Sequence, residues 1–250
     1  MASPRKQGGH FLWVAILWIV LTVAGEWLVL STNLIPGAAA EEAQIVDSAF
    51  RLLTILAVPV MAFVLAALLY SVLRFRSRAM PEQDGPALPA TRRVVGGWLA
   101  ITSALSIYVI INPGLIGLAE LHDLAHRNVD LVVQVEGQRW QWQVTYPEHD
   151  VKTHEELVLP LGKHVRFDIT SVDVLHSFWV PAFRMKIDAV PGQVTSVWVT
   201  PNQVGTAEQD HQLRLVCAEL CGLGHTIMAM PVRVVEPPEF DTWIAGARQQ

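Results

Sequence analysis

The stretch LRLVCAELCGLGHTIMAMPVRVV (213–235) places a short loop between two runs that alternate in the manner of β-strands. The loop carries both cysteines of the chain, Cys217 and Cys221, followed by His225 and Met228. Three roles are open to the cysteines: a disulfide, two buried thiols, or metal ligands. Residues four apart rarely meet disulfide geometry. Thiolate, imidazole and thioether together form a soft donor set that prefers copper. The loop therefore predicts a copper site in a β domain.

The C-terminal half shows a strand pattern from Val129 onward. Short runs rich in Val, Ile, Trp and Phe alternate with period two, and Pro and Gly separate them. These runs cover 129–136, 138–146, 163–170, 194–199, 213–217 and 231–235. They predict an antiparallel β-sandwich or Greek-key barrel over 128–236. Residues 237–250, which begin with two prolines, are predicted to form a tail with a short helix.

The N-terminal part is strongly apolar, in a chain that is 52% hydrophobic and only 16% charged. Residues 11–30, about 49–73 and about 94–118 each have the length of a helix that spans a bilayer. Arginines crowd the loop 74–93, so this loop and the N-terminus are predicted to be cytoplasmic and everything after the third span external. Pro59 and Asn112-Pro113 are predicted to kink or end their helices.

Residues 1–40 have two interpretations. They are a transmembrane helix, or a signal peptide cut near Ala40, because a basic start and an apolar run precede Ala38-Ala39-Ala40. Residues 41–127 form a transmembrane hairpin under both interpretations.

The external part is acidic. Residues 128–250 hold nine Lys and Arg against fifteen Asp and Glu, a net charge of −6, so no nucleic-acid surface is expected. Much of this charge comes from the acidic cluster Glu148, Asp150, Glu155 and Glu156. The cluster has two open roles, steering a positively charged protein partner or keeping the domain soluble.

A second imidazole for the copper site has to come from outside the loop. His176, in VDVLHSFWVPAF, is the only histidine within an apolar stretch ahead of the loop. We therefore predict that it joins the site. The other histidines are expected to be solvated (His149, His154, His164 and His211) or to flank the membrane spans (His10, His122 and His126).

Three segments resemble the signature segments of the cytochrome c oxidase subunit II family. They are GQRWQWQVTYP (137–147), DVLHSFWVPAFRMKIDAVPG (173–192) and CAELCGLGHTIMAMP (217–231). The resemblance implies a membrane-anchored α + β chain in the bacterial plasma membrane. Two or three N-terminal transmembrane helices would precede an extracytoplasmic cupredoxin-like Greek-key β-sandwich or barrel at 128–236.

The resemblance also implies a binuclear copper centre, CuA, in which the two cysteines bridge two copper ions. The implied ligands are His176, Cys217, Glu219 (through its backbone carbonyl), Cys221, His225 and Met228. The side chain of Glu219 would reach a magnesium ion at the interface with subunit I, whereas Met230 is assigned to the core. Asp173, Asp188 and Arg184 are expected to orient the ligands or to meet subunit I.

The function implied by the resemblance is electron transfer. Cytochrome c or a similar carrier would dock on the acidic cluster and deliver electrons at Trp140, which is expected to share one strand face with Trp142. Haem in oxidase subunit I would receive the electrons and reduce oxygen to water, with subunit III as a further partner.

Two departures from the family are visible. Gln141 replaces an aromatic residue, and Val95 stands where the family has a glutamate at a proton pathway. The alternatives are a CuA subunit of a nitric oxide reductase and a membrane-anchored copper carrier. A quinol oxidase subunit is disfavoured because the copper ligands are complete.

Overall fold

Four helices precede the strands in the computed structural model, which describes residues 4–32, 35–76 and 92–248. They are α1 (Pro4–Ser31), α2 (Glu41–Arg74), α3 (Arg92–Val109) and α4 (Ile116–Ala125). Within the described residues, three stretches are long and apolar enough to cross a membrane: Gly9–Ser31, Glu41–Arg74 and Arg92–Ala125. Each contains the whole of one predicted span. Most of the predicted cytoplasmic loop, 77–91, lies outside the described residues.

The prolines of the second and third spans behave differently. Helix α2 continues through Pro59, whose carbonyl oxygen accepts a hydrogen bond from Trp18 Nε1 at 2.8 Å, so the predicted helix end is not found there. In the third span, Asn112 has extended backbone angles (φ −132°, ψ 112°) and separates α3 from α4. The residue before a proline is pushed out of the helical region by the proline ring, which explains this break.

The chain divides into two compact units. One comprises the residues up to Leu34 and Ala49–Ile116, and the other comprises Ile35–Ser48 and Gly117–Gln250. Helix α2 has 34 residues, which corresponds to a length of about 50 Å, whereas the hydrocarbon core of a bilayer is about 30 Å thick. Its first turns can therefore lie outside the hydrocarbon and belong to the second unit.

The segment Ile35–Ser48 is an integral part of the β unit, a feature that the sequence patterns do not indicate. Ala40 and Ala43 are fully buried in its core, and Ala39 N–H donates to the Ala182 carbonyl at 2.9 Å. The Glu42 carboxylate, only 2% exposed, accepts hydrogen bonds from the backbone N–H and the hydroxyl of Thr200 at 2.9 and 3.2 Å. This segment therefore contributes buried contacts to the fold of the β unit.

Replacing the buried carboxylate tests this contribution. We expect Glu42→Ala to lower the free energy of unfolding by about 1–3 kcal/mol, because both Thr200 donors lose their acceptor in a buried position. Thermal unfolding of the detergent-solubilised chain measures the change. The matched control is Glu41→Ala, which removes only an exposed ion pair with Arg127 and is expected to cost less than about 1 kcal/mol. Equal losses in the two variants would contradict the account.

The β unit contains two sheets. The strands of the first sheet are β1 (Leu131–Gln138), β2 (Gln141–Tyr146), β3 (Val151–Thr153), β5 (Val165–Ser171) and β8 (Thr195–Val199). Those of the second are β4 (Leu157–Pro160), β6 (His176–Trp179), β7 (Lys186–Ala189), β9 (Gly205–Thr206), β10 (Arg214–Cys217) and β11 (Ala229–Val235). The first sheet has the strand order β3-β2-β1-β5-β8, and the second has the order β4-β11-β10-β6-β7 with β9 beside β11.

The predicted sandwich is confirmed, but its sheets are mixed. Strand β1 runs parallel to β5, with Leu131 opposite Val165, and β11 runs parallel to β4. The wholly antiparallel arrangement expected from the strand pattern is therefore wrong for these two pairs. Alternation within a strand reveals its buried face but not the direction of its neighbour.

The inner faces of the two sheets share one hydrophobic core. Phe167 of the first sheet and Phe178 of the second are fully buried, with ring centroids 5.0 Å apart. Helix α5 (Pro237–Ala247) adds Phe240 and Ile244 to this core, and it begins at a proline because the first helical position needs no N–H donor. The core holds both ends of the loop between β10 and β11 on rigid strands.

Candidate metal centre

The loop between β10 and β11 brings its donors back to one place. Strand β10 ends at Cys217, and the Cys217 N–H donates to the Met228 carbonyl at 3.1 Å, which closes the loop at its base. A 3-10 turn over His225–Ile227 then directs the chain into β11. Cys217 pairs with Phe178 of β6, the strand that begins at His176, so neighbouring strands supply these two side chains.

Two thiols and two imidazoles form a symmetrical arrangement. The sulfur atoms of Cys217 and Cys221 are 3.7 Å apart. His176 Nδ1 lies 3.7 Å from Cys217 Sγ, and His225 Nδ1 lies 3.7 Å from Cys221 Sγ. Each sulfur therefore has one imidazole nitrogen beside it.

Two weaker donors complete the cluster. Met228 Sδ lies 3.9 Å from Cys221 Sγ, and the Glu219 carbonyl oxygen lies 3.2 Å from Cys217 Sγ. Met228 is 1% exposed, and Met230 is buried in the core. The structure thus brings all six predicted ligand residues together. Four of them, His176, Glu219, His225 and Met228, each have an atom within 3.9 Å of a cysteine sulfur.

The cysteines are free thiols and not a disulfide. Their sulfur separation far exceeds the length of about 2.05 Å of a disulfide bond. Burial, followed by the hydrogen bond with Cys217, raises the pKa of the Cys221 thiol to about 11. Two adjacent thiolates would therefore need a bound cation to stabilise their negative charges.

This donor set fits a transition metal. The ligating atoms of His176, Cys217 and Cys221 lie within 4.8 Å of one another, and all three residues are buried. Metal–sulfur and metal–nitrogen bonds of about 2.3 and 2.0 Å at one ion span roughly 3.7 Å when they meet near 120°. The spacing between each imidazole nitrogen and its neighbouring sulfur agrees with that value. Soft thiolate and thioether donors combined with imidazole favour copper.

Asp173 holds His176 in a suitable tautomer. His176 Nε2 lies 2.9 Å from Asp173 Oδ1, so this nitrogen donates its hydrogen to the carboxylate and the Nδ1 lone pair faces Cys217. Burial acts to raise the pKa of Asp173, but the hydrogen bond from His176 and those from Arg139 and Val174 outweigh it and hold the pKa well below its usual range. The carboxylate remains ionised and fixes the ring.

In the part of the chain that the structure describes, Arg184 and Asp188 form no hydrogen bond or ion pair with a donor atom of the site. Arg184 pairs with Asp47 at 2.8 Å inside the β unit, and Asp188 lies on β7 opposite Ser177. Only Asp173 of these three predicted orienting residues contacts a candidate ligand.

Trp140 lies in the turn between β1 and β2, and its side chain is 37% exposed. The indole Nε1–H donates to the Cys221 carbonyl at 3.3 Å. Trp142 lies within β2, is 1% exposed and packs edge-on against His176 with ring centroids 6.0 Å apart. The prediction that both tryptophans share one strand face is therefore wrong, because the strand begins only at Gln141.

The structure also corrects one histidine. His164 was expected to be solvated, but it is 5% exposed and its Nδ1 is hydrogen-bonded to the Thr200 hydroxyl at 2.9 Å. The expectation rested on the charged neighbours of His164 in the sequence. The backbone of His164 is instead hydrogen-bonded to Asp130 at the start of the first sheet, which places the residue inside the β unit.

The acidic cluster is spread along the β unit. Glu148 and Asp150 follow Tyr146, at the end of β2 roughly 17 Å from its Trp140 end. Glu156 forms a two-pronged ion pair with Arg233 at 3.0 and 3.1 Å. Glu148 and Asp150 therefore lie far from Trp140, and Glu156 already has a cationic partner within the chain.

Several proteins and one protein family are similar to this chain. The family model "Cytochrome C oxidase subunit II, periplasmic domain" matches residues 149–235. "Heme-copper oxidase subunit 2" from Aeropyrum pernix is 34% identical over 76% of this chain and 85% of its own length. "Cytochrome c oxidase subunit 2" from Thermostichus vulcanus is 29% identical over 93% of this chain and 84% of its own length. The solved periplasmic domain of subunit II of cytochrome oxidase from Bradyrhizobium japonicum is 31% identical, with a TM-score of 0.46 over 49% of this chain and 96% of that chain.

Proposed function

The chain belongs to the cytochrome c oxidase subunit II family, and from this premise we propose that it is the subunit through which a haem–copper oxidase receives electrons. Its donor is cytochrome c or a similar carrier, and the electrons continue to haem in subunit I, where oxygen is reduced to water. The chain itself carries out no oxygen chemistry.

The observation that supports this proposal is the paired arrangement of sulfur and nitrogen donors. Two buried sulfurs 3.7 Å apart, each with its own imidazole nitrogen at 3.7 Å, suit two metal ions bridged by two thiolates. The proposed ligands are His176, Cys217, the Glu219 carbonyl, Cys221, His225 and Met228. A mononuclear site would need only one of the cysteines.

Copper held by these residues would supply reversible one-electron redox chemistry. The fold holds the proposed ligand residues rigidly and keeps water away from them. His176 is fully buried, Met228 is 1% exposed, and neighbouring strands hold two of the donors. Because such ligands move little, little reorganisation accompanies the transfer of one electron.

The donor is proposed to deliver its electrons at Trp140, the exposed indole that is hydrogen-bonded to the Cys221 carbonyl. The residues Glu148, Asp150, Glu155 and Glu156 are proposed to attract a positively charged carrier. Since Glu148 and Asp150 lie beyond the far end of β2, they act on the approach of the carrier and not on its final contact. Such steering weakens as ionic strength rises.

The remaining partners follow from membership of the family. Subunits I and III are proposed to bind the membrane helices, with the side chain of Glu219 holding magnesium at the subunit I interface. We place the chain in the bacterial plasma membrane with the N-terminus and the 74–93 loop cytoplasmic and the β unit extracytoplasmic. Val95 cannot bind a proton, so we propose that a residue at another position takes up protons in place of the glutamate of the family.

Substrate consumption by the complex tests this function. The complex purified through this chain is expected to consume oxygen when reduced cytochrome c is supplied. A complex that consumed nitric oxide but no oxygen under the same conditions would show that the chain serves a nitric oxide reductase instead.

A further inference from the structure

We infer that Gly222 and Gly224 form a seat, a stretch of backbone without side chains that holds the Trp140 ring against Cys221. Both glycines lie in the loop between β10 and β11, the metal loop. By holding the ring, Gly224 sets the rate of electron uptake. This inference rests on the proposed function, because it concerns the residue at which electrons are proposed to arrive. Gly224 is a positioning residue in this account, since it acts through Trp140 and is not one of the proposed ligands.

The contact between Gly224 and Trp140 leaves no room for a side chain. A Cβ atom added at Gly224 would lie 2.4, 2.6 and 2.7 Å from Cδ2, Cγ and Cε3 of Trp140. The shortest of these distances is about 1 Å inside ordinary van der Waals contact. The indole therefore lies directly on the backbone of the buried Gly224.

A second glycine extends the seat along the ring. A Cβ atom at Gly222 would lie 3.5 Å from both Cζ2 and Nε1 of Trp140, and Gly222 has a φ of +119°, which L-residues with side chains rarely adopt. Leu223 between the two glycines is 99% exposed. The backbone of the loop thus faces the ring while the intervening side chain points to solvent.

The indole is also tied directly to a proposed ligand residue. Its Nε1–H donates to the carbonyl of Cys221, whose sulfur is one of the two candidate bridges. The ring therefore connects to the ligand set through one hydrogen bond and the covalent bonds of a single residue.

Asp173, which also binds His176, holds the turn that carries Trp140 through separate contacts. The backbone N–H and Nε of Arg139 donate to Asp173 Oδ2 at 3.0 and 2.9 Å, and the other oxygen of this carboxylate accepts from His176 Nε2. Asp173 thus holds the residue that precedes Trp140, while the two glycines lie against its ring. This is the preorganisation that a transfer step sensitive to small displacements requires.

Gly224→Ala tests the inference in the complete oxidase complex. The added methyl group has to displace the indole, so we expect reduction of the oxidised complex by cytochrome c to slow by about 10–100-fold, the scale on which a shift of about 1 Å slows a positioned reaction step. Copper content, the paramagnetic resonance spectrum and full reduction by dithionite are expected to remain unchanged. The matched control is Gly246→Ala, where nothing lies within 4 Å of the added Cβ.

A double-mutant cycle separates positioning from a general structural effect. In the Trp140→Ala background, Gly224→Ala is expected to cause no further slowing. An equal slowing in both backgrounds would overturn the inference, because Gly224 would then act independently of Trp140. A normal rate in Gly224→Ala alone, with Trp140→Ala slow, would overturn the inference and leave the proposed function intact. A normal rate in Trp140→Ala would instead contradict the proposed role of Trp140 itself.

Trp140→Phe provides a test that leaves the glycines in place and serves if Gly224→Ala fails to fold. Phenylalanine keeps an aromatic ring on the seat but cannot donate to the Cys221 carbonyl. We expect a slowing that lies between the native rate and that of Trp140→Ala, with copper content unchanged. A native rate in this variant would contradict the part assigned to the hydrogen bond.

Discussion

Cys217→Ser is expected to abolish the proposed binuclear copper centre and, with it, turnover of the oxidase with cytochrome c. Serine has nearly the size of cysteine, so the core around this position remains filled. A hydroxyl group is neither ionised at neutral pH nor soft enough to bridge copper ions. The remaining sulfur of Cys221 keeps His225 and Met228 beside it, but the second thiolate is lost.

This prediction is tested by measuring the copper content and the rate of oxygen consumption of the Cys217→Ser complex. The matched control is Met230→Leu, which alters the same core opposite Leu215 of β10 but is not one of the proposed ligands, so both quantities should stay at the native level. Normal turnover of the Cys217→Ser complex with cytochrome c would refute the assignment of Cys217 as a bridging ligand.

Trp140→Ala has the second large expected effect, a loss of at least about 100-fold in the rate of reduction by the donor. The substitution removes the indole that connects the exposed surface to the Cys221 carbonyl. The ring is not among the proposed ligands, so copper content and the resonance spectrum should not change. The variant would separate electron uptake from metal binding.

Trp179→Ala is the matched control for this variant. Trp179 has the same exposed fraction, 37%, and lies on β6 with Lys186 Nζ 5.8 Å from its ring centroid. Its removal is expected to leave the reduction rate within about twofold of native, since surface substitutions away from a site have small effects. Equal rates in native protein and Trp140→Ala would move electron uptake to another residue.

Local patterns were sufficient to predict the long apolar helices and the grouping of donor residues in the loop between β10 and β11. The three apolar runs have the right length, and the donors of 217–228 lie within one short segment, so their proximity needs no knowledge of the fold. His176 required one further step, because an imidazole in an apolar stretch of the same β domain suggests a buried role. The register of β6 against β10 brings it beside Cys217.

Features that depend on distant contacts were not predicted. The buried side chains of His164 and Glu42 both bind Thr200, which lies 158 residues after Glu42 in the sequence. The position of Trp140 depends on Gly224, whose role appears only when the β1–β2 turn meets the metal loop. The GLG pattern around Leu223 was the available signal, since two glycines so close together often mark a place where another group approaches the backbone.

The most direct test of the central claim is the copper stoichiometry and paramagnetic resonance spectrum of the full-length chain, purified in detergent and loaded with copper. The full chain is required because Ile35–Ser48 belongs to the β unit. The account predicts two copper ions per chain and a spectrum in which one unpaired electron is shared equally between them. One copper ion per chain with an ordinary mononuclear spectrum would contradict it and would favour a membrane-anchored copper carrier.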